Sequence, residues 1–238
     1  VNAPAPSERA EVALRIAVVV PVLNEAARIS ALLADLRRHG FAQTIVTDGG
    51  SDDGTADVAG ETAGVELVCT ARGRGLQLNA GAERAHADVL LFLHADTRLP
   101  DGACDRIRTA LADPLVVGGC FRLSFDTAHL LLSLYAKASA IDSVFTTFGD
   151  QAYFVRARAF REAGGFPAWP FLEDVEFRRR LKWLGRFVKL DAAVTTSARR
   201  FEAGGIARQQ LKNAFILCAF LMGVPAERLA RWYRPERR

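Results

Sequence analysis

No two of the four cysteines, Cys69, Cys104, Cys120 and Cys218, form a C-x-x-C pair, so the chain carries no redox or metal motif of that kind. Most of them stand in apolar segments and are expected as buried free thiols, in keeping with a reducing cytoplasm. Long apolar runs are missing as well. The longest, residues 214–222, is too short to span a bilayer; it is expected to form a buried terminal helix, the alternative being a place against a membrane or a partner. The N-terminal "VNAPAPSERAE" is polar and Pro-rich, without the apolar centre of a secretory signal. A basic stripe with interleaved aromatics is also lacking. The net charge is only +4, and the arginines are scattered apart from a C-terminal group of Arg228, Arg231, Arg234, Arg237 and Arg238. This argues against nucleic acid and for small anionic molecules as partners. The last absence is a glycine. Gly73 and Gly75 begin a dinucleotide fingerprint, but Leu78 occupies its third glycine position. The run also follows the third apolar segment, not the first, so no nicotinamide cofactor is expected.

What is present is half hydrophobic over 238 residues, enough for one sizeable core. "RIAVVVPVL" is a continuous β-branched run, as a strand buried on both faces requires. The segment after it repeats Ile29, Leu32, Leu33 and Leu36 at helical spacing, and Gly40 closes it. "QTIVTD", "VELVCT" and "DVLLFLH" read as further strands, and "RGLQLNAGAERAHA" as a helix. Alternation with short connections predicts a parallel sheet covered by helices. Right-handed crossovers then gather the strand C-termini on one edge. The second half is less regular: a strand in "VVGGCFRLSF", a helix in "AHLLLSLYAKASAI", a short strand in "DQAYFVR", and a helix in "FLEDVEFRRRLKWLG" with Phe177, Leu181 and Leu184 on one face.

Polar clusters fall where those strands end: "NEA", "DGGSDDGT", "ARGRG" and "HADT". Open α/β sheets bind ligands at that edge, and four clusters there are more than solvated turns explain. In "HADT", His94 and Asp96 are two residues apart and share one side of an extended chain. They are candidate ligands for Mg²⁺ or Mn²⁺, Asp96 the stronger; a strand-end turn with a capping Asp is the plainer reading. Glu173 and Asp174 begin a helix, where acids complement the dipole in any case. The preceding "GGFPAWPF", rich in turn formers and aromatics, is what raises them to site candidates.

Taken together and in order, "VVVPVLNEAARI", "TDGGSDDGT", "LQLNAGA", "LFLHADTRLP", "GDQAYFVR", "GGFP" and "LEDVEFRRRL" resemble family-2 glycosyltransferases of the GT-A fold over about residues 15–200. "AVTTSARRFEAGG" and "GVPAERLARWYR" further resemble the small subfamily of selenium- or radical-SAM-associated transferases, also called arsenosugar biosynthesis glycosyltransferases. Selenosugar synthases of selenoneine biosynthesis are of this type. The resemblance implies a Rossmann-like α/β fold with a mostly parallel sheet flanked by helices. It divides the chain into a disordered tail (1–13), a nucleotide-sugar half (14–125), an acceptor and catalytic half (126–200) and a C-terminal helical extension (201–238). Pro21, Leu23, Asn24 and Glu25 would line the base and ribose pocket. Asp48 would contact uracil or ribose, with Gly49, Gly50 and Ser51 permitting close approach, and Asp53 would cap the next helix. Arg72, Arg74 and Gln77 would reach the base or diphosphate. Across His94, Ala95 and Asp96, Asp96 matches the metal-binding last Asp of a D-x-D motif and His94 replaces its first Asp. Asp174 matches the catalytic base, beside Glu173; Gly149, Asp150 and Gln151 would flank sugar and acceptor.

The expected activity is inverting transfer of a hexose, of GlcNAc or glucose type, from a UDP-sugar to selenophosphate, with Arg199 and Arg200 among the groups holding the anions. The expected partners are the UDP-sugar and a small anionic acceptor, with a homo-oligomer possible. An arsenical or polyprenyl phosphate acceptor, and a non-catalytic nucleotide-sugar-binding protein, are the alternatives.

Overall fold

A computed structural model describes residues 13–199 and 205–232. The expected tail over 1–13 therefore lies outside the described residues except for its last position. In chain order the elements are β1 (Ile16–Val22), α1 (Ala26–Leu36), β2 (Gln43–Asp48), α2 (Thr55–Glu61), β3 (Val65–Cys69), α3 (Arg74–Arg84) and β4 (Val89–Phe92). These are followed by β5 (Thr97–Arg98), α4 (Ala103–Leu111), β6 (Val116–Phe125), α5 (Leu130–Ala138), β7 (Tyr153–Arg156) and α6 (Ala157–Glu162). The chain continues through α7 (Glu173–Leu184), β8 (Arg186–Thr196), α8 (Ile206–Leu221) and α9 (Ala226–Ala230).

The eight strands form one sheet in the order β3-β2-β1-β4-β7-β6-β8-β5. The first four are parallel, as their alternation with helices predicts. β7 runs antiparallel to both β4 and β6, β8 lies parallel to β6, and the two-residue β5 closes the edge antiparallel to β8. The sheet is thus mixed but mostly parallel.

Strand β1 shows why its run is unbroken. Ile16, Val18, Val20 and Val22 face Ile29, Leu33 and Ile107 of α1 and α4, while Ala17 and Val19 face Leu78, Phe177 and Leu181 of α3 and α7. With side chains alternating across a sheet covered on both sides, every position is apolar. On the α3/α7 side Phe92, Phe160, Phe166 and Phe177 pack ring on ring, the closest pair 4.2 Å apart. Leu184 does not join Phe177 and Leu181 on the buried face; it is exposed, because α7 ends there and the chain turns at Gly185 into β8. Of the cysteines, Cys104 and Cys120 are buried, but Cys69 at the end of β3 and Cys218 on α8 are exposed, and all four are free thiols. The terminal apolar run is a helix, yet only Ile216, Leu217 and Ala219 of α8 are buried.

Helix α3 lies directly on β1 and β2. A Cβ at Gly81 would stand 2.4 Å from Val19 Cγ1 and 2.9 Å from Thr47 Cγ2, so the helix seats only because that side chain is missing. Gly81→Ala should therefore lower unfolding stability by about 1–2 kcal/mol in urea titrations, the overpacking outweighing the gain of roughly 1 kcal/mol in helix propensity.

Candidate active site

The loops after β1 and β2 are tied into one wall. The backbone N–H of Asn24, a residue in the left-handed region (φ 55°), donates to Ser51 Oγ at 2.9 Å, and Asn24 Oδ1 accepts from the Asp52 N–H at 3.0 Å. Thr55 Oγ1 takes the N–H of Glu25 at 2.8 Å. Asp53 reaches both helices that start here: its Oδ1 accepts from the Thr55 N–H and hydroxyl, and its Oδ2 from the Ala26 N–H. It caps α1 as well as the expected α2. Its hydrogen bonds to Thr55 and then Ala26 hold its carboxyl below the usual range. Pro21 and Leu23 are half-buried at the end of β1, against this wall.

Asp48, expected to face a ligand, is buried and spent on its own loop. One oxygen accepts from the N–H groups of Gly50 and Ser51 at 2.9 Å each, the other from Ser51 Oγ at 2.5 Å. Gln77 likewise turns from the diphosphate position to the carbonyls of Val22 (2.8 Å) and Thr47 (2.7 Å), clamping the ends of β1 and β2. Gly49 is where that clamp passes closest to backbone. Both residues shape the wall from behind.

Arg74, the first residue of α3, is the centre of the site. Its Nε is salt-bridged to Glu173 Oε1, its Nη2 lies 3.5 Å from Asp174 Oδ2, and its Nη1 donates toward His94 Nε2 at 3.3 Å. Partial burial works against the guanidinium charge, but Glu173 and then Asp174 outweigh it and hold the Arg74 pKa above its ordinary value. Glu173 is buried, which pushes its carboxyl up against the opposing pull of Arg74. Its Oε2 has no hydrogen-bond partner among the described residues. Asp174 accepts from the Gly149 N–H at 2.6 Å and from the Val175 N–H at 3.0 Å. A Cβ on Gly149 would press within 3.1 Å of the Asp174 carboxylate, so glycine allows the approach. Arg74, His94, Gly149 and Asp174 line one small cavity floored by Leu78, Phe92, Tyr153 and Phe166. Asp150 and Tyr135 lie close enough to feel these charges: Asp150 helps to raise Arg74, and burial, with Asp150 and Asp174, raises the Tyr135 hydroxyl.

The carboxylate pair is presented by strained backbone. Leu172, just before α7, is left-handed (φ 59°), as is Ala152 (φ 52°) after the turn that carries Asp150. Phe171 and Leu172 are held by packing against Ile216, Ala219 and Leu229 of α8 and α9. Asn79 of α3 pins the "GGFP" loop through both hydrogen bonds of its amide to Phe166, at 2.8 and 2.9 Å. Gln151 is not beside the cavity. It is fully buried, taking Lys189 Nζ on Oε1 and giving Nε2 to the Thr146 carbonyl, both at 2.6 Å. It therefore supports the turn of Asp150.

Asp96 is half-buried after β4, with Thr97 Oγ1 3.5 Å from its Oδ1, and Ala95 is half-buried between it and His94. Among the described residues no three His, Cys, Asp or Glu side chains converge on one point. A divalent cation held by one carboxylate, with water and phosphate oxygens completing its shell, fits this donor set. Arg72 is exposed. Arg199 Nη2 lies 3.7 Å from Glu25 Oε1, which joins the segment after β8 to the loop after β1; Arg200 and Arg234 lie outside the described residues.

An α/β sheet with its polar loops on the C-terminal edge and an Arg–Glu–Asp cluster between its halves defines a GT-A-like architecture. The sequence profile of glycosyl transferase family 2 matches residues 17–157, more than half of the chain, and the chain belongs to that family. It is similar to the glycosyltransferase AglJ of Haloferax volcanii, 33% identical over 104 residues, which are 43% of this chain and 33% of that relative. Among solved structures it resembles the mannosyltransferase PcManGT of Pyrobaculum calidifontis in complex with GDP-Man and Mn²⁺, with TM-score 0.68 and 21% identity over 90% of this chain and 66% of that one. S. aureus TarS 1–349 in complex with UDP-GlcNAc gives TM-score 0.63 at 17% identity over 77% of this chain and 58% of that one. This chain thus spans about a third of the curated relative and about two thirds or less of these structures.

Sequence reading missed the anchor of the segment before Gly149. Asp142 is salt-bridged to the buried Arg178 of α7, accepts from Lys182 Nζ at 3.0 Å and from Thr147 Oγ1 at 3.2 Å. Only the arginine-rich face of "EFRRRLK" hinted at it. Burial opposes the Asp142 charge, but Arg178 and Lys182 prevail and lower its pKa. A lowered carboxyl stabilises the fold above the unfolded value of about 3.8 and loses that contribution as pH falls through the folded value. Asp142→Asn should cost about 2–3 kcal/mol at pH 7, by leaving Arg178 buried without its carboxylate. In denaturant titrations the gap between variant and wild type should shrink steadily as the pH is lowered past 3.8.

Proposed function

We propose that this protein is an inverting glycosyltransferase that moves a hexose, of glucose or GlcNAc type, from a UDP-sugar to selenophosphate. The observation that carries the reading is the cluster of Arg74, His94, Glu173 and Asp174 against Gly149, at the edge where β1, β2 and β4 end. A nucleotide fits the wall of residues 21–25 and 48–51, whose backbone is already organised by Asp48, Asp53 and Gln77. That spares the ligand much of the cost of ordering the loops.

In the reaction, selenium attacks the anomeric carbon as the bond from that carbon to the diphosphate oxygen breaks, and the bonding pair leaves with UDP. Asp96 would hold Mg²⁺ or Mn²⁺, which supplies positive charge to the departing diphosphate. Arg74 can share its guanidinium between the carboxylates and that developing charge. Asp174, fixed by the Gly149 and Val175 N–H groups, orients the acceptor on the opposite face of the sugar. Since N–H donors already occupy its oxygens, it suits an acceptor that arrives ionised. Arg199 would hold such an anion by exchanging Glu25 for it.

Mass spectrometry of mixtures of UDP-glucose or UDP-GlcNAc with selenophosphate should show UDP and a hexose bearing selenium at the anomeric carbon. If UDP forms only with an arsenical, a lipid phosphate or a sugar hydroxyl, the selenium acceptor is wrong and the transferase reading stands. If no acceptor releases UDP although UDP binds, the protein is a binding module. Asp174→Ala should lower kcat by about 10² through lost orientation of the acceptor, in a protein that still binds UDP. Asp96→Ala should weaken Mn²⁺ binding in calorimetry with UDP present and cut turnover to the level of wild type in EDTA. Unchanged Mn²⁺ affinity would remove the metal from Asp96.

A further inference from the structure

Helix α8 is apolar on two sides. Its inner stripe, Ile216, Leu217 and Ala219, packs on the small core beneath α9. Its outer stripe runs through Leu211, Phe215, Cys218, Leu221 and Met222, spaced three and four residues apart, and each of these is exposed. Leu211 and Met222 show 73% and 78% of their surface to solvent. A helix that buries one side and shows a second apolar stripe to water calls for a cover on that stripe. Among the described residues only Trp232 is recorded against it, at Phe215.

The face extends beyond α8. Helix α5 packs beside it and turns out Leu130, Leu131 and Leu134, the first 74% exposed. Ile141 and Phe145 follow on the next segment, and Trp183 stands 81% exposed at the end of α7, lining one cavity of about 370 Å³ with Val144, Phe220 and Leu221. Trp232 stacks on Phe215 with ring centroids 6.1 Å apart. Single exposed apolar residues are ordinary on protein surfaces, but a continuous patch built by three helices is not.

Charge selects the occupant. Neither α5 nor α8 contains an acidic residue, and the exposed charges on them, Lys137 and Arg208, are basic. Exposed Arg228 and Arg231 flank the patch at α9, against a single acid, Glu227. No helix among the described residues is long and apolar enough to cross a membrane. Apolar stripes with a basic rim and no spanning length are the make-up of helices that lie in a bilayer interface. We propose that this face, formed by α5, α8 and the end of α7, docks the protein peripherally on an anionic lipid surface. It does not rest on which acceptor is used. It places the membrane on the side of the carboxylate cluster, since α5 buries Leu132, turns Leu130, Leu131 and Leu134 outward, and has its Tyr135 within reach of the Asp150 and Asp174 charges.

Co-sedimentation of the full chain with phosphatidylcholine vesicles, with and without about 30 mol% phosphatidylglycerol, tests this. Anionic vesicles should bind it at least about tenfold more tightly than neutral ones, and each basic residue removed should weaken binding by about fivefold. The double variant Leu211→Glu/Phe215→Glu should lose vesicle binding while keeping its melting temperature and UDP affinity, since both positions are exposed and neither lines the cavity. Arg208→Glu/Lys137→Glu should lose the preference for anionic lipid with the apolar face intact. Absence of vesicle binding overturns the proposal. So does equal binding by wild type and Leu211→Glu/Phe215→Glu, or a dimer in sedimentation equilibrium that the same double variant dissolves, which would make the face a contact between copies.

Discussion

The site depends on one guanidinium. Arg74 starts α3 in the first half of the chain, and Glu173 and Asp174 start α7 in the second, 99 residues on. Burial pushes the Glu173 carboxyl up, and a cation beside two adjacent buried carboxylates offsets the cost of burying them. Arg74 makes the pair tenable, and in doing so it brings α3 and α7 together across the sheet. The buried phenylalanines around Phe92 then fill the space between those helices. The aromatic carbon beneath the ion cluster lowers the local dielectric, which strengthens each charge the cluster directs into the cavity.

The loops show a second constraint, the need to satisfy helix and strand ends before any ligand arrives. Asp53 serves the starts of α1 and α2 together, and Asp48 ties down the N–H groups of its own loop. Gln77 does the same for two strand carbonyls. These polar side chains look like ligand groups in a sequence because they stand at strand ends. In the fold they are consumed by backbone that would otherwise be unpaired. On the rim stand Asn24, Glu25, Arg72, Asp96 and Arg199, of which Glu25 and Arg199 pair with each other. This division explains why a rich polar motif yields few free hydrogen-bonding groups.

The first half was legible in the sequence because a strand buried on both faces leaves an apolar run, and a short connection leaves its helix nowhere else to go. β1 through β4 and the edge they define follow from that alone. The second half resisted, since β7 runs against its neighbours and β8 pairs with β6 across a long excursion, and neither fact leaves a local signal. The site was readable as residue types at strand ends but not as roles. Arg74 reads as a contact to base or diphosphate, and the structure adds its ion pairs with Glu173 and Asp174; Gln151 reads as a neighbour of sugar and acceptor, and the structure buries it beneath the turn. Asp142 with Arg178 was invisible, as two charged residues 36 apart give no pattern until the chain brings them together. Helix α8 was read as buried because apolar composition does not say whether one side or two are covered.

That last difference bears on how the halves of the molecule divide their work. The wall formed by the loops after β1 and β2 is tied throughout, the N–H groups of Gly50, Ser51 and Asp52 each held by a neighbouring side chain. The opposite side is held by fewer ties: α8 and α9 share one small cluster with Phe171 and Leu172. Leu172, held in a left-handed conformation that costs a side chain of its size of order 1–3 kcal/mol, is the residue that sets the direction of Glu173 and Asp174. Packing of α8 on Leu172 therefore holds the carboxylates where Arg74 can meet them. The helix that shows its outer stripe to solvent is thus the one whose inner stripe packs on Leu172, immediately before Glu173 and Asp174.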